Sequence, residues 1–487
     1  MVLALDIGSS SVRGAVHDRL GRTVRGTDVQ IRYAWHTARD GSVRLPAATL
    51  LDLVGAALDA LDARVGSLAG DVVAGGIACF IHSIVGLDVA GAPVTPVLSW
   101  ADTTSGPDAA SLRERLDGAA VHATTGAPIH AGYWPARVGR LRREQPGIQG
   151  WSGLAELIAR SLTGRAVVSR SMASGTGLLD RARGTWADEI LGQLAIDSGQ
   201  LPRIVDDSEP IGRLDRVASA RWPRLAHIAW FAAWGDGGCG NVGLGALGRD
   251  AAALMVGTSG ALRSVLDEPA PSVPAALFAQ RLGAGTIVGA QLSEGGGTIA
   301  WASGVLGRSQ AALERAATAA ALAGDSDEEI TVLPYVFGER GLGYHDGARG
   351  SIVGLGPRTD AAAVYVAVLE SIACSFAAAD DRLSGVLGGR PNVVASGGAI
   401  DASPVLVQAL ADALGRDIAV APAIEASRRG AAILALRGSG AIARLGDAPA
   451  PTTNNVSRDP ARAPRYRAIR ERREALYRSL VAGKEDS

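Results

Sequence analysis

The sequence predicts an α/β protein of two similar lobes, and three observations predict it. The chain has 487 residues, more than a single hydrophobic core usually serves, so two domains are expected. A hairpin motif occurs twice: residues 2–16 read VLALDIGSSSVRGAV and residues 254–265 read LMVGTSGALRSV. Each is an apolar run, a Gly/Ser turn and a second apolar run carrying an arginine, which is the pattern of a β-hairpin. The arginine is displaced by one position, so the repeat is approximate, but two such hairpins far apart indicate a duplicated domain. Third, strands run through glycine turns into helices near residues 236, 297 and 397. The expected division is residues 1–246, residues 247–440, and a linker with a basic C-terminal helix at 441–487.

The first hairpin carries the clearest chemistry. Glycine lets a backbone approach a ligand closely, and successive N–H groups in a Gly/Ser turn form an anion-binding concavity. Gly8 supplies the first, Ser9, Ser10 and Ser11 add hydroxyl donors, and Arg13 adds a fixed positive charge. Asp6 is placed to hold a hydrated Mg²⁺. Together these suit the β- and γ-phosphates of a nucleotide, although read alone the stretch is equally an ordinary hairpin with a polar turn. The second copy changes that balance. Gly257, Thr258 and Ser259 stand where Gly8, Ser9 and Ser10 stand, so each lobe offers one loop to the same phosphates.

Between the hairpins, residues 47–68 have helical spacing and residues 72–79 read as a strand. A second apolar run at 84–89, a turn at 91–93 and the run VLSWAD at 97–102 close this section. His82, Ser83, Trp100 and Asp102 gather near strand ends, where α/β folds place ligands; taken singly, such a histidine or tryptophan reads as core packing. Residues 124–133 form a turn-rich loop before a basic helix at 135–144, and 154–162 is helical. Residues 167–179, VVSRSMASGTGLL, read as a polar loop, either a lid over a polar substrate or an inserted cap, with a short helix at 186–194. Residues 204–218 read as hinge material. Residues 227–245, HIAWFAAWGDGGCGNVGLG, are an apolar strand entering a glycine-dense turn that carries Asp236, then a helix start. Glycine neighbours leave that carboxylate free to approach a hydroxyl, as a general base must; the alternative is an aspartate in a tight turn or at an N-cap.

After the second hairpin come a strand at 287–292, three glycines at 295–297 before a helix, and a loop at 332–350 that is rich in Gly and contains Glu339 and Arg340. A long helix spans 361–383. The strand at 392–395 leads to Gly397 and Gly398 and then a helix at 404–414, with Asp401 or Ser403 as its cap. A glycine pair there leaves room for a flat ligand such as adenine. A strand at 418–420, a helix at 426–436, a Pro/Ala/Thr-rich linker at 448–455 and an arginine-rich helix at 462–480 complete the chain. The basic face of that last helix reads as solvated.

Composition narrows the function. With 47% apolar and 20% charged residues the chain is globular. A net charge of −1 gives no footprint for nucleic acid or an anionic membrane. Lys484 is the only lysine, which excludes a catalytic or phosphate-holding lysine inside the fold. Three scattered cysteines show no metal spacing and fit a reducing compartment. Asp6 interrupts any signal sequence, and no segment reads as long and apolar enough to span a bilayer, so a cytoplasmic protein is expected.

Taken together, these motifs resemble the FGGY family of carbohydrate kinases, within the sugar-kinase, actin and Hsp70 superfamily. DIGSSSVRGAV is similar to the family's first phosphate motif, WGDGGCGNVGLG to its catalytic-base motif and VGTSGALR to its second phosphate motif. LPYVFGERGLGYHDGARGSIVGL resembles its long loop, and ASGGAIDASPVLVQALADALG with EASRRGAAILAL its adenosine motif and final helix. The five motifs stand in the family's order over nearly the whole length.

The resemblance implies two ribonuclease-H-like (actin/hexokinase superfamily) lobes closing over a cleft, ATP and Mg²⁺ as cofactors, and phosphate transfer to a sugar hydroxyl. It implies Asp236 as the base and Asp6, with Asp236, as the residues that hold Mg²⁺. Gly8, Ser9, Ser10 and Arg13 with Gly257, Thr258 and Ser259 match the phosphate loops. Gly297, Gly397, Gly398 and Asp401 match the nucleoside site. His82, Ser83, Trp100 and Gly237 match positions that touch the sugar.

FIHSIVGLD, VLSWADTTS and GTSGALR look most like the gluconate kinases of the family. Arg263 is then a candidate for a bidentate pair with a sugar-acid carboxylate, or else a phosphate contact or surface ion pair. Gly237 stands where many relatives carry a larger polar residue, which suggests a roomier pocket, and His17 and Gly14 also depart from the family pattern. The expected substrate is D-gluconate, giving 6-phosphogluconate. A ketopentose or polyol kinase of the xylulose or ribulose type is the alternative, and a non-catalytic sugar sensor on the same fold a remoter one. The expected partner is a small sugar or sugar acid, with no nucleic acid or membrane and a homodimer as the assembly to test.

Overall fold

The computed structural model describes residues 1–269, 272–323, 330–345, 347–422 and 425–484. In the first lobe the opening hairpin forms as expected. Strands β1 (Val2–Ile7) and β2 (Ser11–His17) pair antiparallel, with Asp6 opposite Arg13. Strand β3 (Val29–Arg32) extends the pair, and helix α1 (Ala47–Val65) crosses over to β4 (Ala74–Cys79), which runs parallel to β1. Leu50, Val54, Ala57, Leu58, Leu61 and Val65 are the buried stripe of α1, at the three-to-four-residue spacing that an amphipathic helix requires. Strands β5 (Pro210–Gly212) and β6 (Ala229–Phe231) finish the sheet in the order β5-β6-β4-β1-β2-β3, and Trp234–Gly235 pairs with β4 beyond the end of β6. Residues 204–218 therefore include a sheet strand rather than a plain hinge. Helix α2 (Asp236–Leu244) follows directly.

The second lobe repeats the plan. Strands β7 (Ala251–Val256) and β8 (Gly260–Leu266) form the second hairpin, extended by β9 (Phe278–Leu282) and β10 (Gly285–Leu292). Helix α3 (Gly296–Val305) and the long helix α4 (Ala361–Leu387) precede β11 (Asn392–Ser396), which is parallel to β7 as β4 is to β1. Helix α5 (Pro404–Leu414), strand β12 (Ile418–Val420), helix α6 (Ala426–Gly438), strand β13 (Asn454–Val456) and helix α7 (Ala463–Leu480) complete it. The sheet order is β9-β10-β8-β7-β11-β12-β13.

Several elements differ from expectation for tertiary reasons. The glycine-dense stretch after Asp236 is itself helix α2. Its small residues let α6 press against it: a Cβ at Gly243 would lie 1.9 Å from the Ala426 carbonyl oxygen, and one at Gly430 1.8 Å from that of Cys239. Helix α6, late in the chain, returns to the first sheet, where Ala431, Ile433 and Leu436 share a core with Val2, Ala4 and Ala74. Residues 167–179 are not a polar lid. They form a strand, Val167–Ser169, and a helix, Arg170–Ser174, both largely buried. The expected linker at 448–455 runs into β13, paired antiparallel with β12 at the sheet edge.

The arginines of α7 are also not simply solvated: Arg465 grips Glu370 of α4 at 2.7 and 2.9 Å, while Tyr466 and Ile469 are buried. By length and hydropathy α4 is long and apolar enough to cross a membrane, contrary to expectation, yet 67% of its most apolar window is buried as the core helix of the second lobe.

Candidate active site

The first Gly/Ser loop hangs from the end of β1. Gly8 N–H donates to the Ser11 carbonyl at 3.0 Å, closing the turn and leaving the side chains of Ser9 and Ser10 exposed. Two aromatics clamp it from outside: the Tyr33 hydroxyl donates to the Gly8 carbonyl (2.5 Å) and Trp35 Nε1 to that of Ser9 (2.8 Å). Arg13 lies 2.8 Å from Glu425 and 3.6 Å from Asp6, so its charge is already shared between two carboxylates.

The second loop is fastened to α3. Gly257 N–H donates to Ser259 (3.0 Å), and Gly296 and Gly297 N–H donate to the carbonyls of Gly257 (2.8 Å) and Thr258 (2.9 Å). Gly397, at φ 117°, starts the short helix Gly398–Ala402 and packs against Val256 of β7, next to the same loop. Asp401 is exposed on that helix. The cap of α5 is Ser403, whose hydroxyl accepts from Leu406 N–H at 3.1 Å.

Asp236 opens α2, with Gly237 N–H donating to its Oδ1 at 2.8 Å. Burial raises its pKa, and the nearby Arg263 and then Arg340 oppose that rise. Asp6 is pushed up to about 7, first by burial and then by the charge of Asp236, against Arg13. The acid of the first hairpin and the arginine of the second thus both face Asp236. Arg263 reaches it through the notch at Gly237, where an added Cβ would stand 2.0 Å from Nη1. The space left by this glycine is filled by a guanidinium, so the roomier pocket expected there does not exist. Among the described residues, Arg263 Nη2 has only the weak acceptor Met255 Sδ at 3.0 Å, and its buried Nε has no partner.

His82 and Trp100 join this centre. His82, at φ 70°, donates Nδ1–H to the Gly175 carbonyl at 2.5 Å and sets its ring edgewise on Tyr133 at 4.5 Å. Burial, helped by Arg340, pushes its pKa well down and keeps the ring neutral. Arg340 crosses from the second lobe to stack 4.5 Å over the Trp100 ring. Tyr344 of the same loop meets His130 at 5.9 Å. Ser83 and Asp102 face elsewhere. The Ser83 hydroxyl accepts from Leu154 N–H at 3.1 Å, starting the helix Leu154–Thr163, and Asp102 binds Arg140 at 3.1 Å and Val43 N–H at 2.9 Å.

Sequence reasoning noted Arg340 without placing it in the site, and it passed over Tyr133, Tyr344, Tyr33 and Trp35. The signal available was an arginine in a glycine-rich loop, and aromatics inside turn-rich segments.

The N-terminal domain of the FGGY family of carbohydrate kinases matches residues 1–243, and its C-terminal domain residues 252–439. The chain belongs to this family. Its fold is the family's two-lobed, actin/hexokinase-like arrangement, and as an FGGY kinase it is an ATP-dependent sugar kinase. A gluconokinase of Bacillus subtilis is 25% identical over 381 residues, covering 74% of this chain and 73% of that protein. Two solved structures from Lactobacillus acidophilus superpose over 98% of both chains. They are a gluconate kinase (22% identity, TM-score 0.87) and a ligand-bound xylulose kinase (23%, 0.88). Helix α7 lies beyond the residues that the two family domains match.

Proposed function

We propose that this kinase transfers the γ-phosphoryl group of ATP to D-gluconate, giving 6-phosphogluconate and ADP. The observation that carries the choice of a sugar acid is Arg263. It is a cation beside Asp236 with an unpartnered Nε, and among the described residues neither it nor Arg340 forms an ion pair. A guanidinium so placed suits a carboxylate in bidentate geometry. The likeness to gluconate kinases supports the same choice, and the equal likeness to a xylulose kinase supports a ketopentose as the second reading.

In this reading Asp236 accepts the proton of the acceptor hydroxyl as its oxygen bonds to the γ-phosphorus and the bond to ADP breaks. The loops at Gly8–Ser9–Ser10 and Gly257–Thr258–Ser259 hold the phosphates in line through backbone N–H groups and hydroxyls. Gly297, Gly397, Gly398 and Asp401 take the nucleoside, while His82, Trp100 and Arg340 orient the sugar. The buried carboxylates of Asp6 and Asp236 have the donor chemistry to hold Mg²⁺ through water, and such an ion would offset phosphate charge. The deciding experiment is a panel of sugar acids, ketopentoses and polyols in an ADP-release assay. Gluconate should give the highest kcat/KM, and a preference for a neutral ketopentose rejects the assignment.

A further inference from the structure

The long loop that delivers Arg340 and Tyr344 to the site is held by one carboxylate. Glu339 is 4% exposed. Its Oε1 accepts from Gly343 N–H at 2.7 Å and its Oε2 from His345 N–H at 3.4 Å, so it takes hold of the backbone on both sides of Tyr344. Tyr344 sits at φ 55°, a conformation that costs a bulky residue energy and persists only where its surroundings impose it. One residue ahead, the backbone of Arg340 is fixed by the Ser293 hydroxyl at 2.8 Å.

The remaining hold on Glu339 comes from outside both matched family domains. The hydroxyl of Tyr477, in the last turns of α7, donates to Oε2 at 2.7 Å. Burial and Glu339 raise the pKa of that hydroxyl and keep it a donor. The Tyr477 ring lies between those of Tyr335 and His345, each 5.9 Å away, and its hydroxyl occupies the space beside Gly343, 2.0 Å from where a Cβ would be. The docking of α7 does not depend on this contact. Arg465 on Glu370, Arg473 on Ser375 (2.8 Å), and buried Tyr466 and Ile469 anchor the helix further up.

We infer that Tyr477 is a positioning residue for sugar binding: through Glu339 it sets the loop that carries Arg340 onto Trp100 and Tyr344 onto His130, making the C-terminal helix part of the acceptor-sugar site. The inference rests on the Trp100–Arg340–Asp236 region being where the sugar binds, but not on which sugar it is. The test therefore uses the best substrate of the wild-type panel, and a failure of the gluconate assignment shows in that panel and not here.

Tyr477→Phe keeps the ring and removes only the donor. It should raise KM for the sugar about tenfold, with kcat and KM for ATP within twofold and Tm unchanged. In an Arg340→Ala background the same substitution should add little further to the sugar KM, because both act on one contact. Glu339→Gln, of equal length, should give the same sugar-selective change and serves if Tyr477→Phe does not fold. A wild-type sugar KM in either folded variant overturns the inference. So does an equal rise for sugar and ATP, or full additivity with Arg340→Ala.

Discussion

The notch at Gly237 allows a sharp test of how the site selects its acceptor. In Gly237→Ala the new methyl would start 2.0 Å from Arg263 Nη1 and 3.0 Å from its Cζ. Ordinary carbon–nitrogen contact is about 3.5 Å, so the guanidinium has to withdraw by roughly 1.5 Å. The backbone of α2 has little freedom to give way, since it is pressed against α6 at Gly243 and against Met255 of β7 at Gly240. A misplacement of about 1 Å costs up to 10²-fold in a well-ordered site. The expected loss of kcat/KM for the sugar acid is therefore about 10- to 100-fold, or about 1.4–2.7 kcal/mol of transition-state binding. Neutral sugars, which make no ion pair with Arg263, should lose less than threefold. The assay is ADP release under sub-saturating sugar, at one fixed saturating ATP concentration, with gluconate and a ketopentose side by side. Equal losses for both substrates, or none for the acid, would refute the argument that Arg263 reads a carboxylate through this notch.

Three further outcomes follow from the geometry. Asp236→Asn should lower kcat by about 10²- to 10⁴-fold, the usual share of a general base, while nucleotide binding measured by calorimetry stays within a few-fold. In metal-free enzyme, the native Asp6 carboxyl keeps its proton up to about pH 7, whereas the unfolded chain loses it near the ordinary aspartate value of 3.8. The native state then binds more protons between those limits, so stability falls as pH rises from about 4 to about 7; thermal melts of Asp6→Asn in EDTA should lack this part of the decline. Gly430→Ala drives a methyl to 1.8 Å from a backbone oxygen of α2. It should cost about 1–3 kcal/mol in urea unfolding, with activity following the folded fraction.

Features set by local chemistry were legible before the structure. The two hairpins and the strands β4 and β11 follow from short runs whose polarity fixes their conformation, whereas the grouping of Asp6, Asp236 and Arg263 in one site came from the family resemblance and not from local pattern. What escaped was decided at a distance. A stretch reading DGGCGNVGLG has the composition of a turn and becomes helix α2 because α6, nearly two hundred residues later, needs its bare surface. Residues 167–179 look polar, but their hydroxyls are used internally, as where Ser169 donates to the Ala233 carbonyl at 2.6 Å. Ser83 beside His82 looked like a second sugar contact and instead starts a helix. Nothing in its neighbourhood in sequence announces that Leu154 needs an acceptor. Arg340 needed the opposite correction, since a loop arginine acquires meaning only once its partner ring, Trp100, is known to lie across the gap.

The return of α6 to the opening strands has a consequence for how the polypeptide comes to be. While it is being synthesised, the first 250 residues can lay down their sheet, yet the surface around Val2, Ala4 and Ala74 stays bare until residues 426–438 have emerged to cover it. A ribosome-bound or proteolysed fragment ending short of Ala426 should expose that apolar surface and associate with itself or with chaperones. The finished protein should unfold as one cooperative unit, because neither half keeps its own seal.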